Sequence, residues 1–442
     1  MSAVAQFACW QGCRVTGSDR LTGSADTAGL VSALARAGCA VFPQDGSGVA
    51  ASRGAVVVST AIEQDNPDIA AARSLRLPVF HRSQVLAALA ASAKTIAIAG
   101  TSGKSTVTAL CFELLRGCGM APSLITGARV TSLVNAGLAG NAFKGGSDLL
   151  VIEADESDGS LVNYHPCISV FLNVSKDHKE IPETVGLFGT LAAQSRVTVV
   201  NRDDPGLAGL KATRTFGMRP GADVCPDAVE SVYPKVMFSR GGIRYTLNQP
   251  GEFNLQNALA ALAVCECAGC DPRAAASALQ DCRGLERRFQ AAGTAGGVTV
   301  IDDFAHNPEK IRAALKTARL AGDRVIAVFQ PHGFGPIRFM RHELVRAFRD
   351  GLRNADLLYL LPIYYAGGTA HQDIASADLA APLLADGMTV CTPDTKPACV
   401  SAIAAAARRG DVVLSMGARD PALPAFARDI VSALTQQSVP DR

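Results

Sequence analysis

Residues 94–117 read KTIAIAGTSGKSTVTALCFELLRG, and they narrow the possible folds more than any other stretch of the chain. TIAIAG is an apolar run of strand character, and STVTALCFELLRG carries apolar residues at helical spacing on one face. Only a short, glycine-bearing turn separates the two. Strand, tight turn and helix in that order are the building unit of an α/β sheet. The turn nearly spells the general phosphate-binding pattern, which wants a glycine six residues before its lysine. Ile98 holds that place, and the glycines are Gly100 and Gly103, close against Lys104.

This loop has a clear chemical use. Gly100 and Gly103 let backbone N–H groups turn inward around phosphate oxygens. The helix start adds its partial positive charge. Lys104 can reach the outer phosphates, and the Ser105 hydroxyl can ligate Mg²⁺. A solvated lysine in a tight turn is the plain alternative, but the strand before and the helix after favour phosphate. Two further strand patterns end in polar groups. DLLVIEADESD puts Glu153 and Asp155 at the carboxyl end of an apolar run, where open α/β sheets place their ligands and where a carboxylate can hold Mg²⁺. For Glu156 and Asp158 alone, a capped, solvated turn suffices. ISVFLNVSKDH delivers His178 just past another strand. Lys176 and Lys179 read as solvated.

The alternation extends over the whole chain, in three segments. Residues 1–91 open directly in a helix and then alternate: RVTGSD, CAVFPQD, AVVVST and PVFH are strand-like, while TAGLVSALARAG, NPDIAAARSLR and RSQVLAALAAS have helical periodicity. Residues 92–283 hold the loop, the acid-tipped strand, antiparallel strands around residues 229–249 and the helix of NLQNALAALAVCECAG. Residues 284–442 restart the alternation with VTVIDDFAH, NPEKIRAALKTAR, RVIAVFQPH, DLLYLLPIYY and VVLSMGARD. At 442 residues, 48% hydrophobic and 19% charged, the chain can give each segment its own core. A net charge of +2 makes no case for nucleic acid or acidic lipid. No apolar run reaches the ~18 residues of a membrane helix, and MSAVAQFACWQG lacks the marks of a secretory leader. Thirteen scattered cysteines suit a reducing cytoplasm. The Cys265, Cys267 and Cys270 cluster reads as small buried hydrophobes on one helix, since no partner completes a zinc site.

GTSGKST, EADESD and NVSKDH, in that order and spacing, resemble the Mur ligases, ATP-dependent amide ligases of peptidoglycan assembly. The resemblance covers nearly the whole chain. GCRVTGSD, VVVSTAIEQDNPDIAAA and LPVFHRSQVLAAL are similar to the family's UDP-sugar-binding domain. GEFNLQNALAALA is similar to its adenine-side element, and GLERRF, DDFAHNP, FQPH and GDVVLSMGA to its third-domain landmarks. The implied fold is α/β in three domains: a Rossmann-like domain at 1–91, a central P-loop ATPase-like domain at 92–283, and a Rossmann-like C-terminal domain at 284–442.

The implied activity is amide formation through an acyl phosphate, with ATP and Mg²⁺ as cofactors. UDP-N-acetylmuramate and L-alanine are the implied substrates. Other amines, a murein peptide as acceptor, or a non-ligating binding protein are the alternatives. A cytoplasmic monomer or homodimer is expected, without nucleic acid or membrane insertion. The resemblance places Gly100, Thr101, Ser102, Gly103, Lys104, Ser105 and Thr106 around the phosphates. It puts Asn254 and Asn257 at the adenine, Arg288 at the phosphates and Asp303 at the ribose. Lys104, His178 and His306 serve the reacting centre, and Ser105, Glu153 and His178 hold the metal. Glu153→Ala is expected to abolish ATP turnover without unfolding the chain.

The sequence also departs from the family. Its members of this branch begin with a strand and a glycine-rich loop, of which Met1-Ser2 matches only the end. That first strand is central in a doubly wound sheet, so without it the sheet is expected to open in the middle. The expectation that follows is a true start roughly 15–25 residues upstream of Met1. Ser102 stands where the family loop has histidine, and Asn307 where the alanine-adding branch has a second histidine. Asn307 followed by Pro308 and Glu309 fits a helix cap. Arg338 alone keeps register after FQPH, where an anion contact is expected.

Overall fold

Apolar runs buried on both faces set the two main sheets. The computed structural model describes residues 1–442 except 61, 177–178, 366–370 and 437–442, and excepting the side chains of 25–26. The chain forms two compact units. One comprises Met1–Glu230, Met237–Asn248 and Asn254–Glu286; the other comprises Ser231–Val236, Gln249–Phe253 and Arg287–Arg442. No helix among the described residues is long and apolar enough to cross a membrane.

In the first unit, seven strands lie in the order Arg214–Phe216, Val197–Asn201, Ile168–Phe171, Lys94–Ala99, Leu149–Glu153, Ser123–Ile125 and Ala142–Phe143. The ladders are parallel except the last pair. Strand Lys94–Ala99 is central, with Ile96, Ala97, Ile98 and Ala99 fully buried. That is the pattern a strand covered by helices on both faces must show. Its register aligns Ile98 with Glu153 and Ala99 with Phe171. Three carboxyl ends therefore stop at one level, and helix Lys104–Gly117 starts there.

The first segment is where expectation and structure meet most sharply. Its strands pair as Thr16–Asp19 with Ala40–Pro43, and Val56–Val58 with Val79–His81, each parallel. They form two separate two-stranded sheets rather than one doubly wound sheet. A cavity of about 920 Å³ lies between, bordered by Thr16, Gly17 and Ser18 on one side and Val56, Val57 and Val58 on the other. Helix residues Val4, Leu34 and Ile69 also line it. The two ladders thus face each other across this cavity. Helix Ser2–Trp10 opens the chain and is tied to the central part: Gln6 donates to the Asn141 side chain at 2.9 Å.

The second unit has a six-stranded sheet in the order Gln290–Ala295, Val298–Asp303, Asp411–Met416, Arg324–Phe329, Leu357–Leu360 and Thr389–Cys391. Only the first pair is antiparallel. Helices cover both faces, with Ile311, Leu315, Leu344 and Phe348 in one core and Phe426, Ile430 and Leu434 in the other. Asp303 and Phe329 both register with Met416, so the loops after these strands leave the sheet together. Asn307 accepts from the Lys310 N–H at 3.0 Å and caps helix Pro308–Ala318, as its sequence context implied. The strands around residues 229–249 form a separate three-stranded sheet, Ala228–Val232, Lys235–Arg240 and Ile243–Leu247.

A candidate nucleotide-binding site

The loop after Ala99 is shaped by what leaves no room beside it. A Cβ on Gly100, at φ +145°, would stand 2.8 Å from the Leu172 Cβ. A Cβ on Gly103, at φ +87°, would stand 2.7 Å from Asn257 Oδ1. Both positions need glycine on two counts, conformation and space. The neighbouring strand end then clamps the loop. Ser102 N–H donates to Asn173 Oδ1 at 2.8 Å, and Asn173 Nδ2 returns a bond to the Ser102 carbonyl at 3.0 Å. Thr101 Oγ1 accepts from the Ser175 N–H at 3.0 Å. Asn173 stood in a quoted motif without an assigned role; its reciprocal pair with Ser102 makes it the loop's anchor.

Lys104 lies in this cradle with its Nζ 2.8 Å from the Gly100 carbonyl and 2.7 Å from Glu156 Oε2. Asp155 Oδ1 is 3.7 Å away. Burial opposes the ammonium charge, but the carboxylates of Glu156, Asp155 and Glu153 outweigh it, so the lysine pKa is raised. Burial likewise works against an ionised Asp155, yet Lys104 and Ser157 hold its carboxyl below the usual range. Glu156 corrects the sequence reading. It is 3% exposed and pairs with the loop lysine instead of lying in a solvated turn. Asp158 does sit in a turn, accepting from the Ser160 N–H at 2.9 Å.

Ser105 and Glu153 are brought together as the metal reading requires: Ser105 Oγ donates to Glu153 Oε2 at 3.1 Å. The other carboxylate oxygen accepts from Thr126 Oγ1 and, at 2.7 Å, from the Gly127 N–H. Thr126 and Gly127 went unnoticed in the sequence, where nothing marks the end of the short strand Ser123–Ile125 as part of a site. Thr106 is buried in the first helical turn. His178, expected at the metal and the reacting centre, lies outside the described residues. Among the described residues no three His, Cys, Asp or Glu side chains form a ready metal cluster. Ser105 and Glu153 supply one hydroxyl and one carboxylate, hard oxygen donors suited to Mg²⁺.

Asn254 and Asn257 stand in the first turns of helix Glu252–Cys267, and Asn257 faces the loop at Gly103. Its Nδ2 is buried without a hydrogen-bond partner among the described residues, as is Ser102 Oγ. Such groups are costly to bury unmatched. Two unmatched polar atoms beside a glycine loop fit a phosphate-bearing ligand that would satisfy them.

The other expected residues belong to the second unit. Asp303 accepts from the Phe289 and Ala305 N–H groups, each at 2.7 Å, while burial raises its pKa. Arg288 stacks over the Phe304 ring at 4.8 Å. Its neighbours Arg287 and Phe289 both adopt positive φ, +59° and +49°, uncommon for such residues. Arg287 is fixed by Asp302 at 3.2 Å and by the Gly417 carbonyl at 2.6 Å. His306 Nδ1 contacts the Phe304 carbonyl at 2.9 Å, and its ring is 5.6 Å from that of His332. Burial first, then nearby cations, push His306 down to about 3 and His332 to about 4. Both imidazoles are therefore neutral near pH 7. Arg338 finds its anion within the chain, pairing with Asp373. Lys176 and Lys179 pair with Glu180 and Glu183 on the surface, in keeping with a solvated role.

Three domain descriptions match the chain in order: "Mur ligase family, catalytic domain" at residues 1–94, "Mur ligase middle domain" at 98–265, and "Mur ligase, glutamate ligase domain" at 287–419. A UDP-N-acetylmuramate--L-alanine ligase of Arthrobacter sp. (strain FB24) is 38% identical over 93% of this chain and 88% of its own length. The ligase of the same name from Thermosynechococcus vestitus is 35% identical over 95% and 90%. Among solved structures, the UDP-N-acetylmuramate-alanine ligase of Thermotoga maritima matches with a TM-score of 0.80 at 24% identity, over 99% of this chain and 96% of that one. A murein peptide ligase of Psychrobacter arcticus matches at 0.69 and 20%, over 99% and 97%. At these identities the structural matches speak for the fold.

Proposed function

Because this chain belongs to the Mur ligase family, we propose that it is an ATP-dependent amide ligase joining L-alanine to UDP-N-acetylmuramate in peptidoglycan precursor synthesis. The observation that carries the reading is the register of the central sheet. It sets a complete glycine-lysine-serine loop beside Glu153, with Ser105 Oγ 3.1 Å from the carboxylate. The relatives named for alanine addition, matched over nearly the whole chain, supply the substrate pair.

A bare carboxylate resists an amine because oxide is a poor leaving group. ATP supplies the phosphoryl group that turns the carboxylate into an acyl phosphate. In this chain Lys104 meets the charge that develops on transfer, exchanging Glu156 for phosphate oxygens. The Gly103 and Lys104 N–H groups lie where the loop turns into its helix and would favour the same charge. Ser105 and Glu153 would hold Mg²⁺. Asn257 orients the nucleotide from the adjoining helix. In the second unit, Arg288 would contribute positive charge and Asp303 ribose contact. His306, a neutral imidazole at working pH, would border the reacting centre.

ADP release with Mg²⁺ and ATP tests the proposal, in the presence of UDP-N-acetylmuramate and one amine at a time: L-alanine, glycine, L-serine or the murein tripeptide. Release that needs both the sugar nucleotide and L-alanine is the expected result. Release with the tripeptide alone would reassign the acceptor. None with any amine, while ATP still binds, would refute ligation.

A further inference from the structure

Asn173 clamps the glycine loop through Ser102, and the segment that carries Asn173 is itself held from its other side. Strand Ile168–Phe171 lies between strand Lys94–Ala99, which leads into the loop, and strand Val197–Asn201. Beyond Phe171 the bonding toward the loop goes on in backbone groups. Leu172 N–H donates to the Ala99 carbonyl at 3.0 Å, and Thr101 N–H donates to the Asn173 carbonyl at 3.2 Å. On the opposite side the register of paired residues ends at Val200 with Phe171, and the chain turns into the short 3₁₀ helix Pro205–Leu207. Two side chains take over there. Asn201 Nδ2 donates to the Leu172 carbonyl at 2.8 Å, and Asp204 Oδ2 accepts from the Val174 N–H at 2.9 Å. A residue of a parallel strand placed opposite Asn173 would make the same two bonds, donating to the residue before it and accepting from the residue after it. Each side chain is also fixed at its second polar atom: Asn201 Oδ1 accepts from the Asp203 N–H at 3.0 Å, and Asp204 Oδ1 from the Gly206 N–H at 2.8 Å. Asn201 is 3% exposed, and a Cβ on Gly206 would stand 2.3 Å from Val174 Cγ1, so the turn is packed directly onto the segment.

We propose that Asn201 and Asp204 are positioning residues for the nucleotide, a side-chain extension of the sheet that sets the Asn173 clamp and, through it, the glycine loop. The inference rests on the reading of residues 100–106 as a nucleotide loop and is independent of which amine the enzyme uses. Its physical basis is that the loop has no strand of its own to hold it. The loop takes its place from Asn173, whose side chain bonds both the N–H and the carbonyl of Ser102, and from Leu172, against which Gly100 packs too closely for a Cβ. Leu172 and Val174 bracket Asn173 in sequence, so a bond to each fixes the backbone from which the clamp projects. Loss of either bond frees one side of that backbone, and the loop N–H groups must then be ordered when phosphate arrives instead of standing ready for it.

The test is calorimetric titration of Mg-ATP into the full-length protein, well below the melting transition of each variant. N201D keeps the oxygen that serves the Asp203 N–H and loses the donor to Leu172, and D204A loses the acceptor for Val174. Each should weaken Mg-ATP binding about tenfold. D204N, which leaves one oxygen for two N–H donors, should show a smaller loss and serves where D204A does not fold. Asp203 is the control from the same turn, since its carboxylate accepts from the Met218 N–H instead of from the clamp segment. D203A should melt lower yet bind Mg-ATP as the unaltered protein does. If the two residues act through Asn173, the N173A, D204A double variant should bind no more weakly than N173A alone. Unchanged binding in both N201D and D204A, an equal loss in D203A, or additive losses in the double variant would overturn the positioning role while leaving the nucleotide reading intact. Absence of Mg-ATP binding by the unaltered protein would overturn both.

Discussion

Glu156→Gln removes one charge and almost nothing else, and the structure sets its consequence. The Glu156 side chain is 5% exposed and that of Lys104 14%, so their contact is poorly screened. A hydrogen bond to a charged group contributes ~1.5–3 kcal/mol, against ~0.5–1.5 for a neutral one. Glutamine keeps an acceptor, and Asp155 at 3.7 Å keeps some charge nearby. The variant should therefore lose about 1–2 kcal/mol in the nucleotide-free protein, a fall of roughly 2–8 °C in the melting transition of the first unit. Because the lysine pKa is raised in the folded chain, this contribution is complete below the ordinary lysine range. It fades only as pH rises through the raised value, so the difference should be constant from pH 6 to 9. On the proposed exchange of Glu156 for phosphate oxygens when ATP binds, the bound state should lose little. Mg-ATP should then bind the variant about tenfold more tightly, the same free energy read from the other side. Calorimetry with and without Mg-ATP measures both effects. An unchanged melting temperature, or weaker nucleotide binding, would refute the idea that Glu156 holds the lysine until phosphate arrives.

Gly103→Ala should weaken nucleotide binding at least ~10-fold in a fluorescence titration, since the left-handed backbone alone costs roughly 1–2 kcal/mol and the new methyl meets Asn257 Oδ1 at 2.7 Å. In the second unit, His306 and His332 are held to about 3 and about 4, below their unfolded value, so the unfolded state binds more protons as pH falls from about 6.5. Stability should drop across that window. A His306→Asn, His332→Asn double variant should show a shallower drop in urea-melt midpoints, even though Asp302 and Asp303, with raised values, act in the opposite sense in both proteins. Asp411→Ala strands Arg324 in the core, where the Asp411 side chain is fully buried and also accepts from the Arg408 N–H at 2.8 Å. Its cost should be ~3–5 kcal/mol, whereas Asp386→Ala, breaking an exposed pair with Arg349, should cost under ~1 kcal/mol. Equal midpoints for those two variants would contradict the burial argument.

The legible part of this protein was local. Apolar runs of fixed length gave the strands and the helical period gave the helices that follow them. The glycines around Lys104, the acid at the tip of DLLVIE and the cap at Asn307 each declare themselves within a few residues, because backbone conformation and side-chain alternation are short-range properties. Tertiary structure decided which ends share a level. Asn173 clamps Ser102 across 71 residues of chain, Thr126 and Gly127 complete the bonds of Glu153, and Glu156 turns inward to Lys104 instead of out to water. Strand order and register follow from burying both faces of a sheet while pairing every ladder group, and that balance is struck over the whole chain rather than within any stretch of it.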